Sequence, residues 1–231
     1  MKKFLVLLLV FVSPFAYAKL RLPNLFGDHM VLQTGKPVTV WGWGTQGKEV
    51  GVQFAGQKVR SVIDEKGVWS VELPAFEKSF EGRQLVVVSE DEKIVLEDLL
   101  VGEVWVCGGQ SNMEWTLRST RDADLEMLSV DHPEIRFIRL PKVARYEPQD
   151  DFPVEGPQRS EGNWRKCVPE QAENCTAVGY YFARRLRRFL NVPVGLIDVS
   201  WGGTMAQHWV RKDTLSPISA MKPYLEKFET T

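Results

Sequence analysis

Apolar and polar residues alternate in short runs from residue 20 to about residue 100, which is the pattern of β-strands that bury one face. In the first run, VTVWGWG, Val38 and Val40 alternate with a threonine and a tryptophan. The later runs are EVGVQFAGQKVRSVID, with a hairpin turn at Ala55-Gly56-Gln57, then GVWSVELP, RQLVVVSE and IVLEDLLVG, with turns at 64–67 and 80–82. This spacing predicts a small antiparallel β-sandwich over residues 19–100.

After Glu103 the pattern changes to continuous apolar runs, as expected of parallel strands that are buried on both faces. VWVCGG, EIRFIRL and VGLIDVS are predicted to be strands of this second part, residues 101–231. Strand, helix and strand in this order form a right-handed parallel crossover, so we predict an α/β domain. Because the last run follows the others with little chain after it, we expect that strand to lack neighbours and to leave an open edge.

Two helices and a long loop are predicted between these strands. RDADLEMLSV can begin a helix with Asp122 as its cap, and residues 145–163 form an exposed loop whose length favours a place beside a site. In TAVGYYFARRLRRFL, arginines cover one side of a helix, and its apolar stripe comprises Val178, Tyr181, Phe182, Leu186, Phe189 and Leu190. We interpret the arginines as a solvated face rather than a nucleic-acid site.

The first eighteen residues differ from both patterns. Lys2 and Lys3 precede an apolar run, and Ala16-Tyr17-Ala18 closes it, which predicts a signal peptide cut after Ala18. The run is too short for the roughly 20 residues that a spanning helix needs. We therefore expect a periplasmic or secreted protein that has no membrane partner after signal cleavage.

Charge and cysteine content exclude some functions. The chain has 29 Lys and Arg against 30 Asp and Glu, so its net charge favours no nucleic-acid partner. Cys107 ends an apolar strand and is predicted to be an inert core residue. Cys167 and Cys175 are close enough in sequence to bridge in an oxidising compartment, or are free and packed. No cysteine or histidine spacing is typical of a metal site.

The candidate chemistry lies in VWVCGGQSNMEW. Ser111 follows a buried strand and a pair of glycines, which is the place where α/β sheets bind ligands. A structural turn and a nucleophile are both consistent with this pattern. The glycines of WGGT follow another strand, so Gly202 or Gly203 can donate a backbone N–H to an oxyanion, as can Ser111 itself. The segment is not a G-x-S-x-G elbow, because Met113 replaces the second glycine.

The chain resembles the sialate O-acetylesterase family, a branch of the SGNH-type carbohydrate esterases. The blocks that carry the resemblance are LFGDHMVLQ, DEKGVWSVELP, VGEVWVCGGQSNMEW, NWRKCVPE, TAVGYYFARRL and PVGLIDVSWGGT. The resemblance implies removal of O-acetyl groups from sialic acid or a related acetylated sugar through an acyl-serine intermediate, without a metal or cofactor. It makes Ser111 the nucleophile and Gly202, slightly favoured, or Gly203 an oxyanion donor.

Other parts of the family pattern do not occur in this sequence. Gln110 and Asn112 match the motif and are expected to shape the turn or orient substrate. The family's asparagine donor, aspartate and histidine lie in later blocks that are absent, so we expect an incomplete SGNH-like domain, nearly inactive alone, that a downstream polypeptide completes. His208 is the one histidine on the correct side of the sheet and the candidate base within this sequence; the alternative is a rim residue that contacts substrate.

A non-catalytic protein is the alternative hypothesis. In it the sandwich binds carbohydrate as a scaffold, and the hydrolase segment is vestigial. Trp41, Trp43 and Trp69 can stack on sugars, although core packing explains at least two of them.

Overall fold

The computed structural model describes residues 18–90, 92–145, 147–154 and 161–230. The strands in these ranges are β1 Val31–Gln33, β2 Val38–Trp43, β3 Glu49–Phe54, β4 Gln57–Val62, β5 Val68–Leu73, β6 Ser79–Ser89, β7 Glu92–Cys107, β8 His132–Arg139, β9 Trp164–Cys167 and β10 Val194–Asp198. The α-helices are α1 Ser111–Glu114, α2 Ala123–Ser129, α3 Ala177–Leu190, α4 Lys212–Leu215 and α5 Lys222–Thr230.

One large sheet joins both halves of the chain. Its strand order is β4-β3-β6-β7-β10-β8-β9, and β1 pairs with β7 outside this path. The strands from β4 to β7 are antiparallel, whereas β7, β10 and β8 are parallel. The antiparallel strands β2 and β5 form a second sheet. The predicted mixed α/β class, with an antiparallel first part and a parallel sheet in the second, is confirmed.

The two sheets of the first part share one apolar core. It includes residues of both sheets, among them Val40, Trp69 and Leu73 from the small sheet and Val52, Phe54, Leu85 and Leu99 from the large one. The predicted hairpin is also confirmed, because Ala55 and Gly56 both adopt positive φ between β3 and β4. These packing relations give the sandwich that the alternating pattern predicts.

The strand boundaries of the first part need two corrections. Residues 80–82 were predicted as a turn, but they lie within β6, whose register against β7 shifts near Arg83, where Gly82 packs directly against Asp98. IVLEDLLVG and VWVCGG were predicted as separate strands, but they form the single strand β7. The ladder continues because the N–H of Glu103 donates to Pro193 O at 2.9 Å. The proposed boundary between residues 100 and 101 stays a prediction.

The last parallel strand is not the open edge. β10 lies between β7 and β8 and pairs with both in parallel, so the expectation that it lacks neighbours is wrong. Among the described residues, the part of β7 beyond Gly102 pairs only with β10, and there Trp105 and Val106 are exposed. Strand β9, antiparallel to β8, was not predicted.

Helix α3 has the predicted extent, but its buried face differs from the predicted stripe. The buried residues are Ala177, Gly179, Tyr180 and Ala183, whereas Val178, Phe182, Phe189 and Leu190 are exposed. Small residues bring the helix close to the sheet: a methyl group on Gly179 would lie 3.1 Å from Cys107 Sγ. Phe182 instead packs edge-on against Trp105, with ring centroids 5.0 Å apart.

The arginines and the predicted helix cap are also placed by the structure. Arg184 donates to Glu126 Oε1 at 2.6 Å, and Arg187 pairs with Glu134. These ion pairs hold α3 to α2 and β8, so the arginine side is not merely solvated. Asp122 does precede α2, but it has φ 56° and its side chain makes no capping hydrogen bond.

The predicted signal peptide, residues 1–18, lies outside the described residues except for Ala18. Within the described ranges, no helix is long and apolar enough to cross a bilayer.

A charged cluster joins the sandwich to the parallel sheet at Asp98. Its carboxylate accepts from Arg136 at 2.9 Å and contacts His29 Nδ1 and Lys166 Nζ, each at 2.8 Å. Burial alone raises the pKa of Asp98, but these hydrogen bonds outweigh it and hold the pKa well below its usual range. The cluster therefore stabilises the folded state while Asp98 is ionised.

We expect Asp98→Asn to lower the free energy of unfolding by about 2 kcal/mol at pH 7, the scale of a lost charged hydrogen bond. Asparagine keeps the tolerance for the positive φ of this position, 57°. Because the folded-state pKa is depressed, the difference between wild type and variant should shrink as the pH falls below about 4. Denaturant titrations at pH 7 and pH 3 measure it, with the exposed Asp131→Asn as control. Equal stability at pH 7 would contradict this role.

Candidate active site

The candidate site is built at the carboxyl edge of the parallel strands. Cys107 of β7, Asp198 of β10 and Arg139 of β8 lie side by side in register. The loops that follow β7 and β10 therefore begin at the same level of the sheet. The first loop leads to Ser111, and the second leads to Gly202.

The turn before Ser111 requires a glycine. Gly109 has φ 141°, which other residues rarely adopt, and Ser111 then begins the single-turn helix α1. Thr176, which is buried, donates from its hydroxyl to Met113 O at 2.6 Å, and the N–H of Ala177 donates to Trp115 O at 2.8 Å. The start of α3 thus holds the end of α1 in place.

The side chain of Gln110 caps α1. Its Oε1 accepts the Ser111 N–H at 3.3 Å and the Ser111 hydroxyl at 2.9 Å. Gln110 and Asn112 are both exposed. The predicted turn-shaping role of Gln110 agrees with this contact, and both donors of Ser111 point to one replaceable side-chain oxygen.

Backbone hydrogen bonds connect the two loops. The N–H of Val199 donates to Cys107 O at 3.1 Å, and the N–H of Trp201 donates to Gly109 O at 2.9 Å. A methyl group on Gly202 would lie 3.6 Å from Ser111 Oγ, so the two predicted site residues are brought together. Gly203, at φ 79°, has open space at its Cα.

Charged side chains that were not predicted surround this pair. Glu114 accepts from the N–H of Gly202, from Lys142 and, at 3.3 Å, from Arg139. The only sequence signal for Glu114 is a carboxylate inside an otherwise uncharged motif, SNMEW. Lys142 and Arg139 follow from the end of β8, which no motif marks.

Asp198 is the most buried charge at this edge, with 2% of its side chain exposed. Burial raises its pKa, although hydrogen bonds from Ser200 and the nearby charges of Arg139 and Lys142 act in the opposite direction. Its Oδ1 accepts both the N–H and the hydroxyl of Ser200 at 3.0 and 2.5 Å. Asp198 therefore shapes the start of the loop that carries Gly202.

A groove of about 350 Å³ opens at Ser111 and is lined by Ser111, Glu114, Trp115, Thr116, Arg118, Ser119 and Arg139. A polar cavity of about 250 Å³ adjoins it, shares Arg118 and Arg139, and is further lined by Phe137, Glu161, Asn163, Arg165 and Asn174. The groove can hold an ester beside the serine hydroxyl, and the cavity can hold a polar, anionic group.

The structure does not bring a histidine into this groove. His208 Nδ1 accepts the N–H of Met205 at 2.9 Å and lines a different cavity, with Tyr224. His29 binds Asp98, and His132 begins β8, where burial lowers its pKa. In the described part of the chain, no group of three His, Cys, Asp or Glu side chains is arranged to hold a metal ion.

All three cysteines are buried and free. Burial, with the charge of Asp198, raises the pKa of the Cys107 thiol to about 12, which suits an inert core residue. The sulfur atoms of Cys167 and Cys175 are 4.0 Å apart, in contact but not bonded.

The three tryptophans of the alternative hypothesis have different environments. Trp69 is buried in the sandwich core, and the Arg21 guanidinium lies 3.6 Å above the ring of Trp43. Trp41 lines a cavity of about 500 Å³ together with Phe152.

Residues 155–160 of the predicted loop, and residue 146, lie outside the described residues. Its part at 147–154 is held to the sandwich through Asp151, which accepts the N–H of Asn24 at 3.0 Å.

Comparison with known proteins identifies the family. The model of the family described as carbohydrate esterase, sialic acid-specific acetylesterase, matches residues 101–226, more than half of the 231-residue chain. The chain therefore belongs to this family of carbohydrate esterases, and the resemblance drawn from its motifs is confirmed.

Individual relatives agree with this assignment. The chain is 29% identical to the sialate O-acetylesterase of Mus musculus over 226 residues, 91% of this chain and 41% of that protein. It is 29% identical to the Homo sapiens protein of the same name over 82% of this chain and 38% of that protein. The crystal structure of a carbohydrate acetylesterase from Xanthomonas citri matches with a TM-score of 0.80 and 33% identity, covering 85% of this chain and 43% of that one. The chain spans about two fifths of the length of these relatives.

Proposed function

We propose that this chain carries the nucleophile and part of the oxyanion site of an esterase that removes O-acetyl groups from sialic acid. The observation that carries the proposal is the approach of Gly202 to Ser111 Oγ at the carboxyl edge of the sheet. The match to the sialic acid-specific acetylesterase family supports the reaction class.

In the proposed reaction, Ser111 Oγ attacks the acetyl carbonyl and its proton passes to a base. The bond between the acetyl carbonyl carbon and the sugar oxygen then breaks. The sugar oxygen takes up a proton and leaves as a hydroxyl group, and an acetyl-serine remains. Attack by water on that ester releases acetate and restores the serine. Backbone N–H groups of Ser111 and of the glycine turn stabilise the oxyanion in both steps. The exposed Gln110 side chain moves aside to free the Ser111 N–H.

The base is proposed to come from polypeptide outside the described residues. A serine hydroxyl is a weak nucleophile without a base, and the described groove is lined by no histidine. The open edge of β7, with Trp105 and Phe182 exposed beside it, is the surface that we propose this polypeptide covers.

Export to the periplasm or the medium is proposed from the predicted signal peptide.

The polar cavity beside the groove supports an acidic sugar as substrate. Three arginines line it, and Arg118, which is exposed, borders both the cavity and the Ser111 groove. A guanidinium can bind the carboxylate of a sialic acid through two parallel hydrogen bonds. A neutral acetylated sugar, such as acetylated xylan, offers no carboxylate for that site.

Carbohydrate binding without catalysis is the second candidate function. The cavity at Trp41 favours it, because an aromatic ring beside a cavity of about 500 Å³ can stack on a sugar. Glycan binding that survives Ser111→Ala, together with no acetate release by the wild type, would favour this function over the esterase.

We expect a serine-reactive fluorophosphonate to label the complete gene product at Ser111. Ser111→Ala should lose both the label and acetate release, because it removes the nucleophile. Ser111 is exposed, so the substitution leaves no buried cavity and the turn should keep its fold. Ser119→Ala, in the same groove, is the control and should retain both. Acetate release that continues undiminished in Ser111→Ala would rule out the proposed mechanism.

Arg118→Gln should raise KM for O-acetylated sialic acid about tenfold, because the two charged hydrogen bonds are replaced by at most one neutral hydrogen bond at an exposed site. Turnover of a neutral chromogenic acetyl ester should stay within twofold. The exposed Arg121→Gln, three residues further along, is the matched control. Equal effects of Arg118→Gln on both substrates would show that the cavity does not bind the carboxylate of sialic acid.

A further inference from the structure

Glu114 is a charged side chain that touches both loops of the site. It is the last residue of α1, which begins with Ser111, and its carboxylate accepts the N–H of Gly202 in the loop after β10. A methyl group on Gly202 would lie 2.5 Å from Glu114 Oε2 and 3.6 Å from Ser111 Oγ. Glu114 thus bridges the serine turn and the glycine turn directly.

Two cations hold this carboxylate in place. Lys142 and Arg139 both donate to Oε1, while Oε2 accepts Gly202. The side chains of Lys142 and Arg139 are only 18% and 15% exposed. Charge-assisted hydrogen bonds are stronger than neutral ones, and partial burial limits competition from water.

The N–H groups of Ser111 and Gly202 therefore differ in how firmly their acceptors are held. Ser111 donates to an exposed amide that can move away, whereas Gly202 donates to a carboxylate fixed by two cations. The Gly202 N–H is already held by Glu114, so the Gly203 N–H remains the other candidate donor of the glycine turn. A methyl group on Gly203 would meet no atom within 4 Å, apart from its chain neighbours.

We propose that Glu114 is a positioning residue of the esterase: it fixes the Gly202 peptide against α1 and so sets the distance between Ser111 Oγ and the oxyanion donor of the glycine turn. The inference rests on the proposed function. A displacement of about 1 Å in such a site can cost about 10²-fold in rate. Glu114 borders the groove, but its carboxylate is bound to the Gly202 N–H and to two cations, so we expect its loss to slow the chemical step more than it weakens substrate binding.

The test compares wild type, Glu114→Gln, Glu114→Asp and the exposed control Glu170→Gln in the complete gene product. Glutamine has the same shape but only one acceptor oxygen, so it can accept from the two cations or from the Gly202 N–H, but not from both. We expect kcat for acetate release to fall about 10- to 100-fold with KM within twofold. Fluorophosphonate labelling of Ser111 should slow by a similar factor. Aspartate should recover part of the rate, and Glu170→Gln should match wild type.

Hydrogen exchange at the Gly202 amide gives a second readout that does not depend on turnover. Exchange should be at least about tenfold faster in Glu114→Gln if the carboxylate holds the turn. Unchanged kcat, a change confined to KM, a faster reaction, or unchanged exchange would each overturn the inference. A wild type that neither releases acetate nor labels at Ser111 would instead refute the proposed function. The ratio of Gly202 exchange rates in Glu114→Gln and wild type would then still test whether Glu114 holds the Gly202 N–H.

Discussion

The parallel pairing of β7 with β10 is the constraint on which the site depends. It sets Cys107 beside Asp198, so the loops beyond them start level, and the bonds from Val199 and Trp201 then keep the loops together. A shift of the register would carry Gly202 away from Ser111 and leave these N–H groups without their partners. The serine and the glycine turn are therefore near one another through backbone pairing, before any side chain acts.

Electrostatics then determines how rigid each part of the site is. The edge of the sheet contains Glu114, Glu161 and Asp198, against Arg139 and Lys142, in a largely buried arrangement. Removing one member leaves others buried without a full set of partners, which is costly in a medium of low dielectric. Gln110, by contrast, binds Ser111 from an exposed position and is free to give way. The site combines a fixed glycine turn with a replaceable cap on the nucleophile.

The sequence predicts what local pattern controls. Alternation identifies the strands of the sandwich, continuous apolar runs identify the parallel strands, and the motif around Ser111 predicts the family. Tertiary contacts decide the rest. Nothing local shows that Gly179 and Ala183 lie on the buried face of α3, where the close approach of Gly179 to Cys107 leaves no room for a larger side chain. The role of Glu114 could not be predicted from local pattern either, because its partners lie at or after the ends of β8 and β10, distant in sequence.

The most direct test of the account is to trap the acyl-enzyme. The complete gene product would be mixed with a chromogenic acetyl ester, quenched in acid within the first turnover and digested for peptide mass spectrometry. The account predicts one added acetyl group on the peptide that contains Ser111, and none on that peptide in Ser111→Ala. Turnover with no acetylated peptide, or with the acetyl group on another side chain, would contradict it.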